Sequence, residues 1–312
     1  MVAGAGTGHD GATPESASVR GAAVKPPSFR YSSPATVPDA VALLVEHAED
    51  DARVLAGGQS LVPLMNFRLA HPGFLVDLRR VGGLDSIRMD GDVLVIGAMV
   101  RQSAAERSAE VRVAAPLLAE ALGHVAHPPI RNSGTVVGSI AHADPAAELP
   151  TVALAMDAEM TAVGPQGERR IPAADFFQGP FTTALESDEI LTEVRLPQFA
   201  GGHAFVEFAR THGNFAVVGV AALLAVTDGR ITRAAIAASG VAPTPLRLTA
   251  AEQALDGVVP DGAAFRAAVD AGTAGLQPVG DLQGSAATRI DIARAVLRDA
   301  IERAAERAQD RR

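Results

Sequence analysis

Cysteine is absent from this 312-residue chain, so it can carry no disulfide, no thiolate-ligated iron-sulfur cluster and no Cys-type zinc site. Any centre of that kind must sit on another polypeptide. Tryptophan is also absent and tyrosine occurs once, so a bound chromophore would dominate the absorption spectrum. No stretch reaches the roughly 18 to 20 uninterrupted apolar residues of a membrane helix; even residues 217–226 are flanked by Asn214 and Asp228. Positive charge is outnumbered: the net charge is −9 and the pI is about 5.4. That balance argues against a nucleic-acid or anionic-membrane surface, both of which require concentrated Lys and Arg. An anionic ligand would have to be held mainly by backbone N–H groups.

What is present is ample material for a core. With 48% hydrophobic residues, a chain of this length suggests two compact units more readily than one. Residues 1–27 are rich in Gly, Ala, Ser and Pro, without apolar periodicity, a charged n-region or an apolar h-region; a disordered tail on a cytoplasmic protein is expected. Within it, Gly6-Thr7-Gly8-His9-Asp10-Gly11 fits the dinucleotide pattern GxGxxG literally. No strand precedes it and Ala12-Thr13-Pro14 stands where a helix should begin, so it reads as coincidence.

Order is expected from Phe29-Arg30-Tyr31 onward. Thr36 suits an N-cap, Pro38 a first turn, and Val41, Leu44 and Val45 an apolar stripe up to His47. Residues 52–55 read as a strand running into a glycine turn, after which 61–69 have helical composition. Strands are expected at 74–78 and 92–98, a helix over 111–125, and a loop over 127–139, where Pro128 and Pro129 oppose regular helix. A helix over 148–158, a hairpin turning at Gly164-Pro165-Gln166-Gly167 and a strand over 190–196 follow. Beyond Gly201-Gly202 the pattern changes to strand-like runs at 204–210, 217–226 and 233–239, then helical runs near 247–256, 261–274 and 288–308. A domain boundary near 200 is expected, with an antiparallel sheet packed on helices beyond it.

Two small-residue loops carry the chemistry. Ala56-Gly57-Gly58-Gln59-Ser60-Leu61 sits where a strand gives way to a helix. Adjacent glycines let main chain approach a ligand closely, and successive outward N–H groups form a nest suited to a pyrophosphate. Ser60 adds a hydroxyl, and the absence of a lysine excludes a Walker-type site. Alone, the segment also reads as an ordinary tight turn. The second loop, with Thr135, Val137, Gly138 and Ser139, runs into His142-Ala143-Asp144-Pro145-Ala146-Ala147-Glu148. It can supply amides to the other side of the same pyrophosphate, while Asp144 and Glu148 can accept hydrogen bonds from sugar hydroxyls. The plain alternative is a loop whose acids are solvated or cap the next helix. His124, His127, His142 and Asp144 invite a metal reading, but Pro128 and Pro129 break the helical spacing that would join two imidazoles at one ion, so no metal site is expected. No Ser-His-Asp arrangement stands out either.

Five ordered motifs together resemble one family: the FAD-binding medium subunit of carbon monoxide dehydrogenase and the matching flavin domain of xanthine-oxidase-type molybdenum hydroxylases. They are residues 55–65, 130–135 and 141–150, then Phe176-Phe177-Gln178-Gly179-Pro180-Phe181-Thr182-Thr183, then Glu207 to Ala216. The resemblance implies an α+β fold: a two-lobed FAD-binding domain of the vanillyl-alcohol-oxidase (PCMH) type over 28–199, its lobes split near 80–90, and a small C-terminal domain over 200–312. It implies that residues 56–61 and 135–139 clasp the pyrophosphate of FAD, that His142, Asp144 and Glu148 lie at the cofactor, and that Leu191 and Phe215 meet the flavin ring. It implies no catalytic residue on this chain. Its partners would be a molybdenum-cofactor large subunit and an iron-sulfur small subunit, in a dimer of heterotrimers. The chain departs from the family at Val137, where a glycine is usual, at Asn214, where many members have Asp, and at Val206 and Glu207, where some have Lys. A stand-alone flavoenzyme on the same scaffold and a catalytically idle scaffold remain the alternatives.

Overall fold

The computed structural model describes residues 25–310; the GxGxxG match and most of the expected tail lie outside them. The chain is a mixed α+β protein built on three main sheets. The first is a small parallel sheet of β1 (Arg30–Ser32), β2 (Arg53–Leu55) and β3 (Phe74–Asp77), with the fully buried β3 in the middle. Helix α1 (Val37–Glu46) links β1 to β2, capped by the Thr36 hydroxyl, which accepts the Asp39 N–H at 3.2 Å. Ala40, Val41 and Leu44 face the core, whereas Val45 of the expected stripe is half exposed. Helix α2 (Leu61–Asn66) stops short of the expected 69, closed by Arg68 in a left-handed conformation.

The second sheet is antiparallel in the order β4-β5-β10-β6-β7. Its strands are β4 (Ile87–Asp90), β5 (Val93–Gly97), β6 (Glu159–Gly164), β7 (Gly167–Pro172) and, after the small hairpin β8 (Phe177–Gly179) and β9 (Thr182–Thr183), the central β10 (Ile190–Pro197). The β6–β7 turn falls at the expected Gly164 to Gly167. Between β5 and β6 run α3 (Gln102–Arg107), α4 (Ala109–Ala114), α5 (Pro116–Leu122), α6 (Pro128–Arg131), α7 (Val136–His142) and α8 (Glu148–Ala155). Two expectations fail here, both at prolines. The single helix over 111–125 is broken at Ala115, because Pro116 pushes its predecessor out of the helical region. The loop over 127–139 contains two short helices, because Pro128 and Pro129 occupy a first turn, where no N–H is required. Helix α9 (Ala173–Phe176) completes this region.

Beyond Gly202 the third sheet runs β11 (Gly202–Phe208), β12 (Val218–Thr227), β13 (Arg230–Ser239) and β14 (Leu246–Arg247), all antiparallel. It packs on α10 (Thr249–Leu255), α11 (Gly262–Thr273) and the 25-residue α12 (Ala286–Asp310) around a core of its own. Helix α12 lies so close to β11 that a methyl on Gly202 would collide with the backbone of Ala304.

Helix α8 is buried along its whole length, between α5 on one side and β12 and β13 on the other. Ion pairs tie the two regions around it. Arg307 on α12 donates to both Glu120 oxygens at 2.7 and 3.1 Å, and Arg247 reaches Leu154 O at 3.0 Å and Asp157 at 2.5 Å. Among the described residues no helix is long and apolar enough to cross a membrane.

Candidate functional site

The first glycine loop turns from β2 into α2. Gly58 sits at φ +72, a conformation that L side chains rarely adopt. Gly57 is glycine for a different reason: a Cβ there would lie 2.5 Å from Ser133 O and 2.7 Å from Gly134 Cα. The loop therefore rests directly on the backbone of the second loop, more than seventy residues away in sequence. Among the described residues, no amide from 57 to 61 donates to a backbone carbonyl, and Ser60 makes no side-chain cap bond. Those donors are available to a ligand in the manner of an anion nest.

The second loop is shaped by side chains. Thr135 is the N-cap of α7, and its buried hydroxyl accepts the Gly138 N–H at 3.0 Å. Arg131, 9% exposed, holds the approach to it: its guanidinium donates to Val125 O at 2.8 Å and Ala126 O at 3.2 Å and pairs with Glu106 at 2.9 Å. Val137, the departure from the family's glycine, turns its side chain into the core, 2% exposed.

A cleft of about 320 Å³ lies between the loops, within the range of about 300 to 1,000 Å³ usual for small-molecule sites. Residues 56–61 line it, with Thr135, Gly138, Ser139, His142, Asp144, Glu148 and Phe215. Of the residues marked from sequence, Val137 and Leu191 are not in the lining. Leu191 lies on β10, 5% exposed in the core. The histidines disperse: His124 pairs with Glu207 at 3.3 Å, His127 packs under Gly213 near His212, and His142 packs at a tilt against Phe181, 5.1 Å between centroids.

Several lining residues were not marked by sequence reasoning, Gln102, Val125, Ala126 and Ile130 among them. Gln102 is 5% exposed and its Oε1 is buried without a hydrogen-bond partner among the described residues. Nothing local distinguishes it, since it is simply the first residue of α3. The C-terminal region contributes Gly213, Asn214 and Phe215 to the same wall. The Asn214 side chain accepts the Phe215 N–H at 2.9 Å, and the Phe215 ring remains 63% exposed.

The electrostatics of the lining are unusual for an anion site. It contains Asp144 and Glu148 but no Lys or Arg among the described residues. Burial is the main cause that pushes Glu148 up to about 7, and nearby Glu207 adds to it. Burial also lowers His142, against the opposing pull of Asp144. His124 is raised, chiefly by its hydrogen bond to Glu207.

The relatives of this chain agree on one family. The model of the FAD binding domain in molybdopterin dehydrogenase matches residues 27–199. That of the CO dehydrogenase flavoprotein C-terminal domain matches 203–304. This chain belongs to that family. It is a medium, FAD-binding subunit of the carbon monoxide dehydrogenase and molybdenum hydroxylase type, part of an oxidoreductase, and FAD is its cofactor. The flavoprotein is 41% identical to the 6-hydroxypseudooxynicotine dehydrogenase complex subunit alpha of Paenarthrobacter nicotinovorans, over 92% of this chain and 97% of that one. It is 38% identical to the carbon monoxide dehydrogenase medium chain of Hydrogenophaga pseudoflava, over 89% and 98% respectively. Among solved structures, carbon monoxide dehydrogenase from H. pseudoflava superposes with a TM-score of 0.89 at 40% identity, covering 91% of this chain and 99% of that one. Quinoline 2-oxidoreductase from Pseudomonas putida gives 0.88 at 38% identity over the same shares. The features of the cleft fit FAD: bare amides and a hydroxyl for a diphosphate, and acids and an unpartnered amide oxygen for sugar hydroxyls.

Proposed function

We propose that this chain is the electron-transfer subunit of a cytoplasmic molybdenum hydroxylase, receiving electrons from iron-sulfur clusters on a small partner and passing them to an external acceptor. A large partner with the molybdenum cofactor oxidises the substrate, and the assembly is a dimer of heterotrimers. The observation that carries this reading is the backbone contact of Gly57 with Ser133 to Thr135 across one cleft, in a chain without a single cysteine to ligate a cluster. The relatives' names add support, since they describe a complex subunit and medium chains.

In this reading residues 28–199 form the FAD-binding domain and the remainder the C-terminal domain. Main-chain amides of 56–61 and of Val137 hold the diphosphate, with the Ser60 hydroxyl beside them. Gly138 gives the diphosphate room; its own amide is engaged by Thr135. Asp144 and Glu148 accept sugar hydroxyls, while His142 and Ser139 close the wall. Phe215 presents its exposed ring to the flavin, and Leu191 acts from the core by packing. Bound FAD can accept electrons singly or in pairs, which suits a junction between one-electron clusters and a two-electron acceptor. No side chain here is asked to act as general acid or base.

Gly58→Glu tests the site: it places a bulky anion at a position of φ +72 beside the diphosphate. The variant is expected to purify without visible flavin absorbance; one FAD per chain would overturn the assignment. The relay is tested by mixing substrate with the isolated chain. Bleaching should require the partner subunits, and rapid bleaching of the chain alone would favour a stand-alone flavoenzyme instead.

A further inference from the structure

Glu148 opens α8 with 7% of its surface exposed, in the lining of the cleft. Behind it stand His124, just past α5, and Glu207 on β11 of the other region. His124 Nδ1 is 3.3 Å from one Glu207 oxygen. The other Glu207 oxygen is buried and has no hydrogen-bond partner among the described residues. Asp144 brings a third carboxylate to the same lining. Glu120 on α5 also faces His124, but it is neutralised by Arg307 from α12 and has His203 from β11 at 3.8 Å. His142, the imidazole in the lining, is turned toward its neutral form by burial. Glu148 thus has Glu207, His124 and Asp144 around it, beside a cleft whose lining contains no Lys or Arg among the described residues. Burial and the neighbouring carboxylates favour the neutral form of Glu148, and an incoming dianion strengthens that preference.

We propose that FAD binding to this chain is proton-linked, with Glu148 taking the cofactor in its neutral acid form while the His124–Glu207 pair keeps its own proton behind it. This rests on the FAD reading of the cleft. Because burial holds Glu148 near neutrality before FAD arrives, both of its forms are populated at physiological pH. The anion raises it further on binding. The gain in affinity is then full below the free-state value and is lost as pH climbs through the higher bound-state value. Protons are taken up on binding, and affinity weakens about tenfold per unit of bound-state shift between acid and alkaline pH.

The test is calorimetric titration of FAD into the FAD-depleted full chain at pH 7, in two buffers of different ionisation enthalpy. The wild type should take up a fraction of a proton per FAD. Glu148→Gln should bind FAD with no uptake and with pH-independent affinity near neutrality. Infrared spectra of the wild type provide a second measurement without any substitution: a protonated-carboxyl stretch should grow as FAD is added. Tight FAD binding with no uptake and no new carboxyl band would sink the linkage and leave the flavin reading standing. Undiminished uptake in Glu148→Gln would place the proton elsewhere and overturn the assignment to Glu148. Failure of the wild type to bind FAD at any pH would remove the flavin reading itself.

Discussion

The turn at residues 57–60 and the turn at residues 133–139 press against each other, yet different forces shape them. The first depends on backbone: Gly58 holds a positive φ, and Gly57 has no room for a Cβ because main chain stands opposite it. The second depends on side chains. Thr135 caps α7, Arg131 pins the carbonyls of Val125 and Ala126, and a Cβ on Gly138 would meet the movable Thr135 hydroxyl rather than backbone. A loop shaped by backbone tolerates almost no substitution at its critical positions. One shaped by side chains can absorb a change, as the valine at 137 illustrates: its bulk goes into the core.

The sharpest way to break this contrast is Gly57→Ala. A single methyl must displace Ser133 O and Gly134 Cα, so the loops separate and FAD affinity should fall by two orders of magnitude or more, equivalent to about 3 kcal/mol. Fluorescence titration with FAD would measure it, and affinity within threefold of wild type would show that the contact is dispensable. Val137→Ala should act in the opposite sense. Loss of buried methyls costs about 2 kcal/mol of stability, read in urea, while FAD affinity stays nearly unchanged; a large affinity loss would mean that the valine faces the ligand after all. Thr135→Val is the mildest of the three. It keeps the shape and removes the cap, and about 1 kcal/mol of stability is expected to go with it. Thermal melts of the FAD-free chain would show a shift of a few degrees, and no shift would assign the shape of the second loop to packing alone.

Much of the local structure was legible because its causes are local. The Thr36 cap and the hairpin at Gly164 to Gly167 follow from residues within a few positions of one another. Prolines misled in both directions: Pro116 interrupts a helix that periodicity alone would run through, and Pro128 with Pro129 begin one that their chemistry was expected to forbid. Gln102 gave no local signal, for its role in the wall comes from lying against Gly134, which it meets through a backbone bond of 2.9 Å and a side-chain contact. Leu191 sits on the central strand β10 with 5% of its surface exposed, where an apolar residue carries no local sign beyond that of core.

Composition and order alone determined that this polypeptide has no thiolate for a metal cluster and that its net charge is −9. They also placed glycines at both turns. Only the tertiary structure decided that Gly57 should lie on Ser133, and that Glu148 should be buried near a glutamate from the other region. Such contacts join segments far apart in sequence, and they form only when the sheets and helix α8 have packed and expelled the water that would otherwise solvate those groups.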